Sequence, residues 1–495
     1  MTRRTTILAV ALAMALPALA QGQADPTIPR ELTLQQAVEL AWEYNPTFRQ
    51  TANNLGPATW AVRNAWAAFV PAVSLNGSMS YSGAGAQRIL SAEFQQGSPT
   101  LGSSYGLNMS ARIDGRTLMG PSLSGAQYEA TQAAITGAEV NLESAVKQQY
   151  LAILQAEAQV RLSEKQLERN EEFLRLAQAR FEVGQNTMLD VRQAEVAKGQ
   201  SEVTLLQARQ LVIVDRLRLF QTLGIPAPDD PLAVILVDTF PITQPTWQLG
   251  ELLAAAGDGN PDLLSLRAQE SAAKANERAA KADWLPTLSL SAGWSGFTQE
   301  YTNPDFLIGQ AENSAAGNVA SCEYINDNLL NPGSPPTDCS AFNITDADRA
   351  QILESNNVFP FDFTSQPFSA RISISLPLFT QFSRPLAVSQ ASIQTEDAQE
   401  AVRARELQVR TDVSQAYFQL LAAYEAIRIQ ENNQTAAQEQ LRLATERYRV
   451  GSGTFFELLD AQLAAQQAEA DYINAIYAYH QSIATLENAV GRPLR

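Results

Sequence analysis

The chain has 495 residues, with 35 lysines and arginines against 52 aspartates and glutamates, a formal charge of −17. Such acidity leaves no wide electrostatic footprint for nucleic acid, whose phosphates need clustered cations. A single histidine, His480, rules out a multi-histidine metal site, and an apolar content of 45% is that of an ordinary folded chain.

In chain order, Arg3 and Arg4 precede an apolar run from Ile7 to Leu19 that ends in Ala18-Leu19-Ala20. A basic start, an apolar middle and a small-x-small site predict a secretory signal peptide over 1–20, with the mature chain starting near Gln21. Losing two arginines takes the charge from −17 to −19. No cysteine near the cut indicates a lipid-anchored start. No later stretch offers ~18 consecutive apolar residues, so no membrane-spanning helix is expected. The predicted product is exported, and is either soluble outside the cell or a β-barrel in an outer membrane.

The remainder repeats itself. Asn45-Pro46 returns as Asn260-Pro261, and Pro71-Ala72-Val73-Ser74-Leu75 as Pro286-Thr287-Leu288-Ser289-Leu290, both at an offset of 215. Further on the offset is 267, carrying Tyr150 to Tyr417, Val183-Gly184 to Val450-Gly451, Thr187 to Thr454 and Gly224 to Gly491. The difference, 267 − 215 = 52, places an insert between about Phe297 and Phe368. The reading is a signal peptide, a first repeat over 21–224, a Pro-rich linker over 225–246, and a second repeat over 247–495 whose insert is a loop at about 298–367.

Each repeat reads helix, strand, long loop, strand, very long helix, sharp turn, helix. In the first strand Val73, Leu75, Met79 and Tyr81 alternate with Ser74, Asn76, Ser78 and Ser80. The second sets Tyr105, Leu107, Met109 and Ile113 against Asn108, Ser110 and Arg112; the third sets Leu288, Leu290 and Trp294 against serines; the fourth sets Phe368, Ile372, Ile374 and Leu376 against Ser369, Arg371, Ser373 and Ser375. Each is about ten residues, the length a tilted strand needs to cross a bilayer. A half-buried sheet in a soluble domain gives the same alternation. If the phase is right, Arg112 and Arg371 stand on the polar face. A kink is expected at Gly56-Pro57.

The long helices follow. Pro385 and Gly451 enclose 65 residues without Gly or Pro, roughly 98 Å of helix. A seven-residue row runs Val146, Ile153, Val160, Leu167, Leu174, Phe181, copied as Val413, Leu420, Ile427, Gln434, Leu441, Tyr448. Beside it runs a smaller row, Ala156, Ser163, Asn170, Ala177, copied as Ala423, Gln430, Ala437, Ala444. Such repeats predict supercoiled packing. After the turns the pattern resumes at Leu189, Val196, Val203 and at Phe456, Leu463, Ala470. Gly184 and Gly451 are placed to end the long helices with φ > 0, and Thr187 and Thr454 to cap the next ones. Four strands cannot close a membrane barrel, so a barrel needs several copies of the chain; three would give twelve strands.

The segment Leu32-Thr33-Leu34 with Ala37-Val38 and Asn45-Pro46, and the turns Arg180-Phe181-Glu182-Val183-Gly184 to Leu189-Asp190-Val191 and Arg447-Tyr448-Arg449-Val450-Gly451 to Glu457-Leu458-Leu459-Asp460-Ala461, resemble the TolC family of outer-membrane efflux and secretion channels. The resemblance covers essentially the whole mature chain. It implies a mainly α fold with membrane strands: two tandem repeats, long coiled helical hairpins and four strands per chain, trimerising into a twelve-stranded β-barrel continued by a periplasmic α-helical barrel. It implies a passive conduit in the outer membrane with no cofactor, serving a tripartite efflux or type I secretion system. The partners it implies are two further copies, outer-membrane lipid, a periplasmic adaptor of the membrane-fusion class and an inner-membrane transporter. Val183, Gly184, Thr187, Val450, Gly451 and Thr454 would be adaptor-contacting tips. Glu457 and Asp460 would form carboxylate rings at the periplasmic aperture, and Asp190 and Tyr448 match positions that hold it closed. The basic residue expected two places after the second turn glycine is absent; Gly453 stands there. The insert would be an external loop in which Cys322 and Cys339 pair in the oxidising compartment, free thiols being the alternative.

Other signals carry less. Glu171-Glu172 and Asp229-Asp230 read as solvated pairs, and no nucleophile–base constellation assembles without His480, which reads as structural. A periplasmic long-helix scaffold or adaptor is the alternative reading, although an adaptor would carry one hairpin flanked by β-rich modules. An exported hydrolase is the third, disfavoured by the missing constellation.

Overall fold

The computed structural model describes residues 29–89, 92–96, 98–331 and 333–494, with 86–89 and 92–96 as backbone alone; the leader expected over 1–20 lies outside them. The chain runs β1 (Glu31–Leu32), α1 (Leu34–Tyr44), α2 (Pro46–Asn53), α3 (Leu55–Ala67), β2 (Ala72–Ser82), β3 (Gly85–Ile89), β4 (Ala92–Gln96), β5 (Thr100–Ile113), α4 (Gly115–Glu182) and α5 (Met188–Leu223). The linker contributes β6 (Ile235–Leu236). The second repeat gives α6 (Leu249–Gly259), α7 (Pro261–Ala282), β7 (Thr287–Tyr301), α8 (Asp305–Asn328), α9 (Asp346–Asn356), β8 (Thr364–Ser365), β9 (Ser369–Ser375), α10 (Ser383–Arg449) and α11 (Phe455–Val490). The duplicated order, the four principal strands and the two very long helices agree with the sequence reading. The chain divides into two compact units, one of 57–128 with 269–398, the other holding the remainder.

The first unit contains the sheet. Its antiparallel order is β2-β5-β7, with β8 and β9 both pairing with β7 on the far side. In register, Leu75 faces Leu107, Leu107 faces Trp294, Ala111 faces Leu290 and Leu290 faces Ile372. Paired neighbours share a face, so one side of the sheet is apolar across all four principal strands. The other side is serine-rich: Ser74, Asn76 and Ser78 lie beside Asn108, Gly106 and Ser104, and Ser289, Ser291, Ser373 and Ser375 continue the row. Arg112 opposite Ser289 and Arg371 opposite Ser291 stand on this polar side, as the alternation predicts. The apolar side is open: Leu75, Met79, Tyr81, Ile372 and Ile374 are all exposed.

Two expectations are corrected here. The insert is not a plain loop. β7 continues to Tyr301, and α8 and α9 follow, α9 opened by a capping box in which Thr345 and Asp348 satisfy each other's backbone N–H. Cys322 and Cys339 form a disulfide with Cα atoms 5.6 Å apart. Gly309 and Gly317 inside α8 meet nothing within 4 Å; with no packing row to read there, the pattern suggested a loop. The kink expected at Gly56-Pro57 falls at Asn54 instead, and Pro57 then sits in the first turn of α3, where its missing N–H costs nothing.

The second unit holds two equivalent helical cores. In the first repeat Ala37, Val38 and Ala41 of α1 pack with Val146, Tyr150 and Ile153 of α4 and Leu219, Phe220 and Leu223 of α5. In the second, Leu252 and Ala256 of α6 pack with Val413, Ala416 and Leu420 of α10 and Tyr479, Ile483 and Leu486 of α11. The seven-residue rows thus face the core at Val146 and Ile153 on α4 and at Val413, Leu420, Ile427, Leu441 and Tyr448 on α10, while Val160, Leu167 and Leu174 are half-buried and Phe181, at the end of the α4 row, is exposed. The linker joins in: β1 and β6 pair, and the Asp238 carboxylate accepts from the Leu34 N–H at 2.6 Å and lies 2.9 Å from the Tyr150 hydroxyl. Lys147 ties the repeats, reaching Glu143 at 2.7 Å and Glu487 at 3.2 Å. His480 is buried against the rings of Phe240 and Tyr479. The rows after the turns behave differently: Leu189, Val196, Val203, Phe456 and Leu463 are exposed. Among the described residues no helix is long and apolar enough to cross a membrane.

Candidate functional site

The two turns lie together in the helical unit. At the first, α4 ends, Gly184 takes φ 74°, and the N–H groups of Gln185 and Asn186 donate back to the Arg180 carbonyl. At the second, Gly451 takes φ 81°, and the N–H groups of Ser452 and Gly453 donate to the Arg447 carbonyl. A left-handed residue reverses the chain so that it can satisfy the last carbonyls of the helix it leaves. Thr187 then caps α5 in a box with Asp190, whose carboxylate accepts from the Thr187 N–H at 2.9 Å, and Thr454 caps α11 by accepting from the Glu457 N–H at 3.2 Å. Both capping threonines fall where the sequence puts them.

The turns hold one another through Tyr448. Its ring is 2% exposed, packed edge-on to Phe455 and enclosed with Ala177, Val191, Leu441 and Leu458. The Arg180 guanidinium lies 4.6 Å from that ring and donates to the Tyr448 carbonyl, while the Asn186 amide donates to the Tyr448 hydroxyl. Burial raises the Tyr448 phenol above its ordinary range, so it stays protonated. The Asp190 carboxylate is engaged in the Thr187 cap, accepting from its N–H and hydroxyl at 2.9 Å each. Asn186 and Arg180 are the residues that the sequence reading missed. A signal existed: at the offset of 267, Asn186 is the counterpart of Gly453, so the polar side chain sought after the second glycine stands after the first. A side chain at 453 would meet Arg447, Glu457 and the Tyr448 backbone at 3.1–3.2 Å, leaving little room for a basic residue.

The remaining site residues are presented to solvent. Val183 and Val450 are 69% and 75% exposed, and Gly184, Thr187, Gly451 and Thr454 are exposed beside them. Glu457 and Asp460, one helical turn apart on α11, are also exposed, Glu457 facing Arg447 across 3.6 Å. The arrangement is a paired tip, joined inside through Tyr448, with two apolar knobs and two carboxylates outside it.

The sequence and the fold are similar to those of known proteins. The family described as outer membrane efflux protein matches residues 37–225 and 341–492. The chain is 26% identical over 443 residues, 88% of its length, to the probable efflux pump outer membrane protein TtgC of Pseudomonas putida, covering 78% of that protein. It is 25% identical over 350 residues, 69% of its length, to the outer membrane efflux protein BepC of Brucella suis, covering 61% of it. The fold is that of VceC from Vibrio cholerae, with a TM-score of 0.68 at 18% identity over 93% of this chain and 97% of that one. It is also that of the Campylobacter jejuni CmeC channel, with a TM-score of 0.70 at 17% identity over 92% and 85%. The chain belongs to the outer membrane efflux protein family, the outer-membrane channels of bacterial efflux systems.

Proposed function

We propose that three copies of the mature chain, freed of its leader over 1–20, join edge to edge as a twelve-stranded barrel that continues into the periplasm as a tube of the long helices. One observation carries this: a four-stranded sheet with an open apolar face and two free edges. Such a sheet is stable in lipid only when every edge is paired. The serine-rich face then lines the pore, and the exposed rows of α5 and α11 pack against neighbouring copies. The two repeats, 21–224 and 247–495 about the linker 225–246, each supply one hairpin and half of the four strands.

At the far end, Val183, Gly184, Thr187, Val450, Gly451 and Thr454 meet a periplasmic adaptor of the membrane-fusion class, itself bound to an inner-membrane transporter that supplies the energy. The channel does no chemistry of its own. Glu457 and Asp460 from three copies ring the aperture, and Tyr448, held by Arg180 and Asn186 beside the Thr187–Asp190 cap, keeps it narrow. A small organic cargo is supported by two relatives, described as an antibiotic efflux and a toluene efflux protein. Six carboxylates at one aperture attract cations and repel anions. Replacing Glu457 and Asp460 together by Ala therefore lowers the cation preference of single channels in planar bilayers, and unchanged selectivity would refute the ring.

A further inference from the structure

At one end of the sheet the chain changes character in a fixed order. The apolar face ends at Val73, Leu288 and Leu376. Immediately beyond it, on three of the four crossings, come exposed or half-exposed aromatics: Trp66 and Phe69 before β2, Trp284 before β7, and Phe379 and Phe382 after β9. Beyond these come arginines. The Arg63 guanidinium lies 4.8 Å from the Trp60 ring on α3, and Arg384, at the start of α10, lies 5.4 Å from the ring of Trp284. No ion pair to a carboxylate is formed by either among the described residues, although Arg384 also donates to the Pro377 carbonyl at 2.8 Å, in a chain whose formal charge is −17.

The corner between β9 and α10 is strained. Gln381 and Phe382 take φ of 54° and 63°, a backbone region that side-chain-bearing residues rarely enter. Glycine would remove that strain. The chain instead places Phe382 there, 73% exposed and edge-on to Phe379 at 5.7 Å. A strained corner that displays an apolar ring to the outside points to something outside that receives it.

Aliphatic, then aromatic, then cationic is the order in which a bilayer passes from acyl chains to the interface to phosphate. We propose that this end of the sheet is a seat for anionic phospholipid, with Trp66, Trp284, Phe379 and Phe382 at the acyl–headgroup boundary and Arg63 and Arg384 on lipid phosphates. The chain is acidic, so these two arginines, not the net charge, supply the complementarity. The inference rests on the reading of the sheet as membrane-spanning, and deepens it by naming the lipid.

The chain has six tryptophans. Full-length single-tryptophan variants, with the other five changed to Phe, are reconstituted in vesicles of phosphatidylcholine and phosphatidylglycerol. Trp294, on the apolar face in mid-sheet, reports the membrane reading and is quenched by a label deep in the acyl chain. Trp66 and Trp284 are expected to be quenched best by a label at the headgroup. Brominated phosphatidylglycerol should quench Trp284 more strongly than brominated phosphatidylcholine, with roughly five-fold enrichment per arginine. Arg384→Gln should erase that preference at Trp284, and Arg63→Gln the corresponding one at Trp60; the second variant leaves the strained corner untouched. If Trp294 is quenched while Trp66 and Trp284 are shielded from both labels, a neighbouring copy covers them and the seat is refuted. Equal quenching by the two lipids refutes the anionic preference. If Trp294 itself is not quenched, the membrane reading falls and the seat with it.

Discussion

Gly224 and Gly491 end α5 and α11 with φ of 78° and 85°, and each rests on the Asn-Pro break of its own repeat. Asn45 donates its amide to the Thr222 carbonyl at 2.8 Å and accepts from the Phe48 N–H; Asn260 does the same with Ala489 and Leu263. A Cβ on Gly224 would stand 2.4 Å from the Tyr44 carbonyl oxygen and 2.6 Å from the Asn45 Cα, backbone atoms that cannot step aside. Gly224→Ala therefore combines an unfavourable φ with a clash and is expected to cost about 2–4 kcal/mol, read as a drop in thermal midpoint or a loss of assembled channel. Asn45→Ala removes a cap and a cross-link, at about 1–2 kcal/mol. Both motifs were visible in the sequence as repeats. Their meeting was not, because a contact between residues so far apart in the chain leaves no periodicity. At the turns the sequence was informative about glycines and capping threonines, whose signals are local, and silent about Asn186 reaching Tyr448. That contact carries a pH prediction. Burial favours the neutral phenol in the folded state, so the stabilisation is complete below the unfolded value of about 10 and is lost as pH rises through the higher folded value. Closed-channel leak should stay flat between about pH 6 and 9 and rise only above about 10. Tyr448→Phe and Asn186→Ala should leak at neutral pH.

At the scale of elements, the seven-residue rows did most to make the fold readable. Val146, Ile153, Val413 and Leu420 are fully buried, as a core-facing row requires, and the small-residue row Ala156, Ser163, Asn170, Ala177 is buried beside them. One inserted residue turns everything beyond it by about 100° relative to what precedes it. An alanine added after Val160 would leave Val146 and Ile153 in place and rotate Ser163, Asn170 and Ala177 out of the core. The expected result is loss of assembled protein and of export, measured as heat-modifiable oligomer and as cargo accumulation; normal export would count against continuous supercoiled packing. The strands were equally legible because their period is two. The insert was not, since α8 shows no stripe and has no side-chain cap; what orders the insert is the Cys322–Cys339 disulfide on α8 and the Thr345–Asp348 capping box that opens α9. The rows of α5 and α11 read as core from periodicity alone, yet Val196, Val203 and Leu463 are exposed in a single copy. In the proposed trimer these rows are the ones that neighbouring copies cover.

At the scale of the whole molecule, those uncovered rows and the free edges of the sheet make the same demand: β2 is open on one side and β9 on the other. In a closed barrel each β9 must lie against the β2 of the next copy, with the serine-rich face inward. Ser74, Asn76 and Ser78 on β2 and Ser373 on β9 share that face and are small or polar, so cysteines there perturb little. The two native cysteines are bonded to each other, so engineered thiols are the only free ones available to react. Double variants pairing Ser373→Cys with Ser74→Cys, Asn76→Cys or Ser78→Cys, oxidised in membranes, should include one register that links copies through a Cα separation of about 4.4–6.8 Å. If three copies close the ring as proposed, the limiting species is a covalent trimer that survives denaturing electrophoresis and collapses to monomer on reduction. An open-ended association would instead yield a ladder without a stop at three, and a water-soluble single-chain scaffold would give no intermolecular product at any of the three registers.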